Sequence, residues 1–518
     1  MRDATFRATM VTRAAALGFG VLLAACGSGG GGSDGGPGPT SISPEPGGSS
    51  ESGPGPISIL PATATVPVGG QVTLTLSAPA ATWSVAPSIG TISPLGVYIA
   101  PFVLPGPNTV TGSRPRATVI VSSSAVATTA TVDIMSRFIN DGAVTIGTCP
   151  VPLSACINAL AAPDLNGDGL SDLVTANTAS GTFSVTLRAS ASSFSAPAPY
   201  NVGLPDASEP QALAIADLDG DLRLDVAVAD AGTSRAVRSR LGFDNGTFGS
   251  LEGVTFLTNT SAPLSMAVGQ FEASSFDAVP KLDLAIARFG SSTAPSELII
   301  LKGDGSGQFP TVTQAITEVS QVSLPVSVIA ADFNNDQLDD LAVANSGGPG
   351  ENLAANTVSV FFGVGNGTFQ VAELYPVAGG PSAVVAVDLN GDSFLDLAVT
   401  AANNTLTFIL NKGVSNPSGG HFQVPSQTYT TGALPIALTA SDVNGDQLQD
   451  LVVVNRGANS VSVFLGHGNG TAVLSETYAV GNAPQSVAVG DFNGDSWPDL
   501  AVANSGDDTV TILRNQWQ

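Results

Sequence analysis

The sequence predicts an almost entirely β chain, a seven-bladed propeller preceded by a small β-sandwich, and three observations carry that prediction. Glycine and proline number 59 and 35 among 518 residues while Lys+Arg totals only 17, so the chain lacks the material of long amphipathic helices. Short apolar runs alternate with Gly, Pro, Ser and Asn turns along most of its length. Above all, one acidic stretch recurs: "DFNGDSWPDLAVAN" at 491–504 has close variants beginning at 164, 217, 332, 388 and 442, and a degenerate one at 270. The seven starts lie 49 to 62 residues apart, the length of a four-stranded unit, and seven such units make a closed ring of blades.

At the N-terminus, Arg2, Arg7 and Arg13 precede an apolar run from Ala14 to Ala25. That run is too short to span a bilayer, and residues 1–25 read as a signal peptide. Leu23, Ala24, Ala25 and Cys26, in "LLAAC", resemble a bacterial lipobox. The resemblance implies cleavage before Cys26, lipid on its thiol, and an exported bacterial lipoprotein at the outer membrane or cell surface, with the periplasmic face left open. Residues 26–56 hold almost nothing fit for burial and read as a flexible tether.

Residues 57–136 alternate short β runs with turns every eight to twelve positions, the pattern of a small sandwich. "PVGGQVTLTLSA", "TWSV" and "GTISPLGVYIAP" resemble bacterial immunoglobulin-like domains, with Trp83 as a core residue rather than a ligand platform. Cys149 and Cys156 stand close together in an exported chain, so they read as a disulfide, the alternative being two buried thiols.

The propeller is expected over 137–518. Each unit runs apolar strand, acidic loop, second strand, polar turn, third strand, then a hairpin such as "GNGTF" and a fourth strand. The chain ends just after "TVTILRNQ", so the last blade lacks its fourth strand. The segment near Ala143 to Gly147 is placed to supply it, which closes the ring and removes an exposed edge.

The acidic loops place oxygen-bearing side chains at positions 1, 3, 5 and 9, with the backbone carbonyl of position 7 as a further donor. An alternation of this kind lets one loop curl around a hard cation, and oxygen-only donors favour Ca²⁺ over Zn²⁺ or Mg²⁺. The expected sets, with the position-7 residue fourth in each, are Asp164, Asn166, Asp168, Leu170 and Asp172; Asp217, Asp219, Asp221, Arg223 and Asp225; Asp332, Asn334, Asp336, Leu338 and Asp340. They continue with Asp388, Asn390, Asp392, Phe394 and Asp396; Asp442, Asn444, Asp446, Leu448 and Asp450; and Asp491, Asn493, Asp495, Trp497 and Asp499, giving about six calcium sites. The third unit, "QFEASSFDAVPKLD" from Gln270 to Asp283, lacks the acidic ladder. These loops resemble the calcium loops of FG-GAP and VCBS repeats, as in the propellers of integrin α-subunits, and the resemblance implies that fold and a structural role for the ions. They are not EF-hands: position 6 is glycine only at Gly169, and no glutamate stands at position 12.

A formal charge of −25 with no basic cluster opposes nucleic acid and anionic lipid headgroups. His421 and His467 fall in hairpins of separate blades, and no nucleophile elbow or zinc motif is present, so no catalytic residue is expected. The expectation is a non-catalytic adhesion or interaction scaffold, anchored by lipid, with a protein or glycan partner. The competing reading is a lectin or polysaccharide lyase, for which Trp497 is the aromatic to test. Five residues beyond position 9 stand Asn177, Asp230, Arg288, Asn345, Ala401, Asn455 and Asn504, which are either a polar ring or turn formers. The long turn Ala344–Thr357 and the third blade, where the repeat is broken, are candidates for specificity.

Overall fold

The computed structural model describes residues 138–146 and 156–516, apart from 204–207, 234, 252, 258–260, 274–280, 291–295, 317–321, 348–355, 414–419 and 424–426, and the backbone of strands between 16 and 135. Most of the leader, Cys26, the tether and Cys149 lie outside the described residues.

One of two compact units comprises Ala25–Pro101 with Ser113–Met135. Its strands Thr63–Pro67, Ala127–Met135, Arg116–Ser122 and Thr82–Ala86 form a four-stranded sheet, and Gln71–Thr73, Val97–Ile99 and Thr91–Ile92 a three-stranded one. Trp83 sits on the strand Thr82–Ala86, opposite Val121, and its side chain lies outside the described residues.

The other unit contains Ser136–Gln518 and holds seven four-stranded antiparallel sheets, the blades of a propeller. Among the described residues there is no α-helix, only two short 3₁₀ turns. In the fourth blade, for instance, the strands Pro325–Ala331, Asp340–Asn345, Thr357–Phe361 and Glu373–Pro376 run outward in chain order. Five of the inner strands begin with proline (Pro210, Pro325, Pro381, Pro435 and Pro484), and each shifts register directly after it. Proline donates no hydrogen bond, so the first position of a strand is where a sheet accepts it.

The second strands, such as Asp340–Asn345 and Asp499–Asn504, are buried at every residue, because neighbouring blades cover both faces. Their near-continuous Leu, Ala and Val content answers that demand, and burying each large apolar side chain stabilises the fold by about 1.5–3 kcal/mol. Tyrosines on four of the fourth strands strap a blade to the one that follows it: the hydroxyls of Tyr200, Tyr375, Tyr429 and Tyr478 accept the backbone N–H of Phe248, Phe422, Ala472 and Phe138.

The ring closes through a strand from the start of this unit. Phe138–Thr145 pairs antiparallel with Thr509–Asn515 and becomes the fourth strand of the seventh blade, starting earlier than the Ala143–Gly147 segment expected. Ile146, Ile157 and Leu173 then pack with Phe492, Ala501 and Ile512, so the first and seventh blades share a core. Cys156, at this junction, is disulfide-bonded, and its expected partner Cys149 lies outside the described residues.

Candidate metal centre

Each acidic loop is wound around its position-1 aspartate. In the seventh loop Asp491 Oδ1 accepts the N–H of Gly494 at 2.7 Å, and Oδ2 accepts that of Ser496 at 2.7 Å. Asn493 Oδ1 accepts Asp495 N–H, its Nδ2 donates to Asp495 Oδ2, and Asp495 Oδ1 accepts Trp497 N–H, all at 2.8–2.9 Å. The first, fourth, fifth and sixth loops repeat the position-1 to position-6 and position-5 to position-7 bonds, through Asp164 and Asp168, Asp332 and Asp336, Asp388 and Asp392, and Asp442 and Asp446. Such winding requires left-handed backbone at position 6, where φ lies between 66° and 86°, although only Gly169 is glycine there; Leu222, Gln337, Ser393, Gln447 and Ser496 take the same conformation.

The second loop departs from this in its side chains. Asp217, Asp219 and Asp225 bring ligand atoms within 4.8 Å of one another, while Asp221 turns to Arg223, whose guanidinium also pairs with Asp244. The structure therefore gathers three of the four expected carboxylates of that loop and diverts the fourth.

Position 9 serves a second purpose. In all seven blades this aspartate is buried, with one oxygen accepting the N–H of position 2 and the other that of a residue at the end of the third strand or within two residues past it. Asp499, for example, holds Phe492 N–H at 3.1 Å and Asn515 N–H at 2.7 Å. Asp283 makes the same clamp on Phe271 and Gly303 without any acidic ladder beside it, so the clamp is a property of the fold. Each carboxylate oxygen has two lone pairs, and the clamp uses one, which leaves position 9 capable of sharing an ion. Burial pushes the carboxyls of Asp172, Asp340, Asp396 and Asp499 up to about 7 and those of Asp225 and Asp283 up to about 6. In the acidic loops neighbouring aspartates add to that rise, and a bound cation would reverse it.

Residues 164–228, 332–399 and 442–502 match the FG-GAP-like repeat family, and 380–419 match the FG-GAP repeat. The propeller carries FG-GAP repeats. The matched spans begin on or enclose acidic loops, and none of them includes the degenerate third loop at 270–283. No curated protein matches the chain in sequence. Among solved structures it is similar to BBS1N in complex with ARL6DN, soaked with lead, at 14% identity and TM-score 0.47, covering 73% of this chain and 97% of that one. It is also similar to the Cps50 (Swd1) β-propeller domain from Myceliophteria thermophila, at 8% identity and TM-score 0.45, covering 73% and 99%. A third similarity is to a protein from Lactobacillus plantarum, at 12% identity and TM-score 0.43, covering 79% and 98%.

Around the FG-GAP loops the remaining candidates fall into place. The residues five beyond position 9 are buried rather than offered to a ligand. Asn177, Asn345, Asn455 and Asn504 donate to Ser or Thr hydroxyls on their own third strands, as Asn504 does to Thr509 and Thr511. In the second and third blades ion pairs replace that bond: Asp230 with Arg238, and Arg288 with Glu297 at 2.7 Å. His467 is the turn residue expected, its Nδ1 3.2 Å from Thr471 Oγ1. His421 is more: its Nδ1 lies 3.0 Å from Glu373 Oε1 of the preceding blade and its ring packs on Phe362, a seam between blades. The Trp497 ring lies across the sixth loop, where a Cβ on Gly445 would stand 2.4 Å from it. The turn after Ala344 is described only in part, with 348–355 outside the described residues.

Sequence reasoning missed the tyrosine straps and the two buried ion pairs. A signal was present for one of the ion pairs, Asp230 with Arg238. Aligned by blade, Arg238 stands where Ser184, Ser359, Ser462 and Thr511 stand, and Asp230 accompanies it where the others have asparagine.

Proposed function

We propose that the FG-GAP propeller binds about six calcium ions through its acidic loops and serves as a non-catalytic interaction scaffold on an exported, lipid-anchored chain, with the immunoglobulin-like unit as its stalk. The observation that carries the reading is the donor set. Six loops hold carboxylate and amide oxygens on one repeated backbone frame, and in the second loop three carboxylates converge within 4.8 Å. Oxygen donors of this number and charge suit a hard, flexibly coordinated cation. The ion's role is structural: it offsets repulsion within each loop and favours ionised position-9 carboxylates. A protein or glycan partner then meets surface outside the acidic loops.

The non-catalytic reading rests on where the two candidate side chains sit. His421 is engaged with Glu373 and Phe362, and Trp497, on which sugar stacking would depend, has its ring against Gly445. The test is calcium titration of the chelator-stripped full chain by calorimetry, with melting temperature read in parallel. Binding of about six ions with a clear upward shift is expected, since ligand at 100 times its Kd stabilises by about 2.7 kcal/mol per site. Absence of both binding and shift sinks the reading.

A further inference from the structure

All seven Asn-Gly pairs of the chain lie in the propeller, four in acidic loops (Asn166, Asn390, Asn444 and Asn493) and three in hairpins (Asn245, Asn366 and Asn469). Such pairs are chemically labile: the glycine nitrogen, once deprotonated, attacks the asparagine side-chain carbon and expels ammonia as a five-membered succinimide closes. Water then opens the ring to aspartate or isoaspartate. Glycine promotes the attack because it has no Cβ to obstruct it.

In the acidic loops the fold itself demands this sequence. Position 4 is left-handed, with φ between 72° and 79° at Gly167, Gly391, Gly445 and Gly494, so glycine follows the asparagine for conformational reasons. The fourth loop meets the same demand with Asn335 at φ 59° and so lacks the labile pair. The loop also restrains both reacting groups. The four glycine N–H groups are donated to the position-1 aspartates Asp164, Asp388, Asp442 and Asp491 at 2.6–2.8 Å. The four asparagine Nδ2 groups donate to position-5 aspartates at 2.9–3.1 Å, which fixes the side-chain amide that the nitrogen would attack. In the hairpins the glycine N–H groups instead meet backbone carbonyls, of Phe243, Phe271 and Leu389.

We propose that the position-1 aspartates gate self-deamidation at Asn166, Asn390, Asn444 and Asn493, each pair staying intact while the aspartate two positions before it holds the glycine N–H. Opening to aspartate converts a three-carboxylate loop into the Asp-x-Asp-Gly-Asp arrangement the second loop already has at Asp217, Asp219 and Asp221. Opening to isoaspartate inserts a methylene into the main chain and breaks the loop frame. The gate stands on hydrogen bonds within the loop and does not depend on the calcium reading.

The test compares deamidation rates at all seven pairs by peptide mapping with isoaspartate detection, in the full chain and in Asp442→Ala, at mildly alkaline pH without added calcium. Losing a charge-assisted hydrogen bond raises the rate at Asn444 about tenfold, with Asn166, Asn390 and Asn493 of the same molecule unchanged. An unchanged Asn444, or an equal rise at all seven, overturns the gate. A second arm needs no variant: the native chain is compared with the chain unfolded in guanidinium. The four loop sites are expected to age more slowly when native, and equal rates in the two states overturn the proposal.

Discussion

The third blade and the other six share one clamp and differ in one ladder. Asp283 holds Phe271 and Gly303 as Asp499 holds Phe492 and Asn515, yet where the seventh loop has Asp491, Asn493 and Asp495 the third has Gln270, Glu272 and an unrelated longer stretch. In the third blade Glu272 is paired with Lys302 at 2.6 Å, a cation supplied by the chain. The difference separates two jobs that one motif performs. Position 9 builds the blade, and positions 1, 3 and 5 wind the loop to which we assign an ion. A blade survives without the second job and keeps the first.

The largest effect expected from this division is on pH dependence, because it sums over many carboxylates. Burial raises Asp172, Asp340, Asp396 and Asp499 to about 7, and Asp225 and Asp283 to about 6, against about 4 in an unfolded chain. Between those values the folded state binds more protons than the unfolded one, so stability falls as pH rises through that window. This contribution is fully present below about pH 4 and gone above about pH 7. Metal-free protein should therefore lose stability to urea across that range, and calcium should flatten the slope by favouring the ionised loops. Slopes that are the same with and without calcium would break the assignment of the ladder to an ion.

A single-site comparison is smaller and sharper. Asp283→Ala leaves the buried N–H groups of Phe271 and Gly303 without their acceptor, a loss of about 2–6 kcal/mol at about 1–3 for each donor. Asp499→Ala loses its clamp in the same way and, in calcium, its share of an ion as well. Urea unfolding should show the Asp283→Ala deficit unaltered by calcium and the Asp499→Ala deficit enlarged by it. If calcium enlarges both alike, the two jobs are not separable.

Much of this was legible in the sequence because the repeat supplies seven readings of one unit. The period gave the blades, the truncated final unit demanded a strand from near Ala143, and the acid spacing marked the loops. The clamp was harder to see, since an aspartate that bonds backbone looks in sequence like one that binds a cation. Only Asp283, retained where the rest of the ladder is gone, distinguishes them. The ring from Asn177 to Asn504 misled for a related reason: asparagine at a strand end suggests a turn or a ligand contact, whereas here its amide is buried against Ser and Thr of the next strand. Arg288 was opaque on its own, because a fully buried arginine is intelligible only once Glu297 and the carbonyl of Ser261 are seen around it.

The smallest expected effect concerns the backbone the ladder winds. Position 6 is left-handed in six loops, but five of them place a side chain there and so carry strain that Gly169 avoids. Leu222 is the clearest case: φ is 71° and 92% of the residue is exposed, so no packing offsets its conformation. Its N–H is donated to Asp217 Oδ2 at 2.9 Å, a bond glycine would keep. Leu222→Gly removes the strain but gives the unfolded chain more freedom, and the two effects leave a net stabilisation of about 0.5–1 kcal/mol. Thermal unfolding of the chelator-treated protein reads it directly. A lower melting temperature for Leu222→Gly would mean that unfolded-state freedom outweighs strain, and that the left-handed turn is held by the carboxylate more than it is resisted by the side chain.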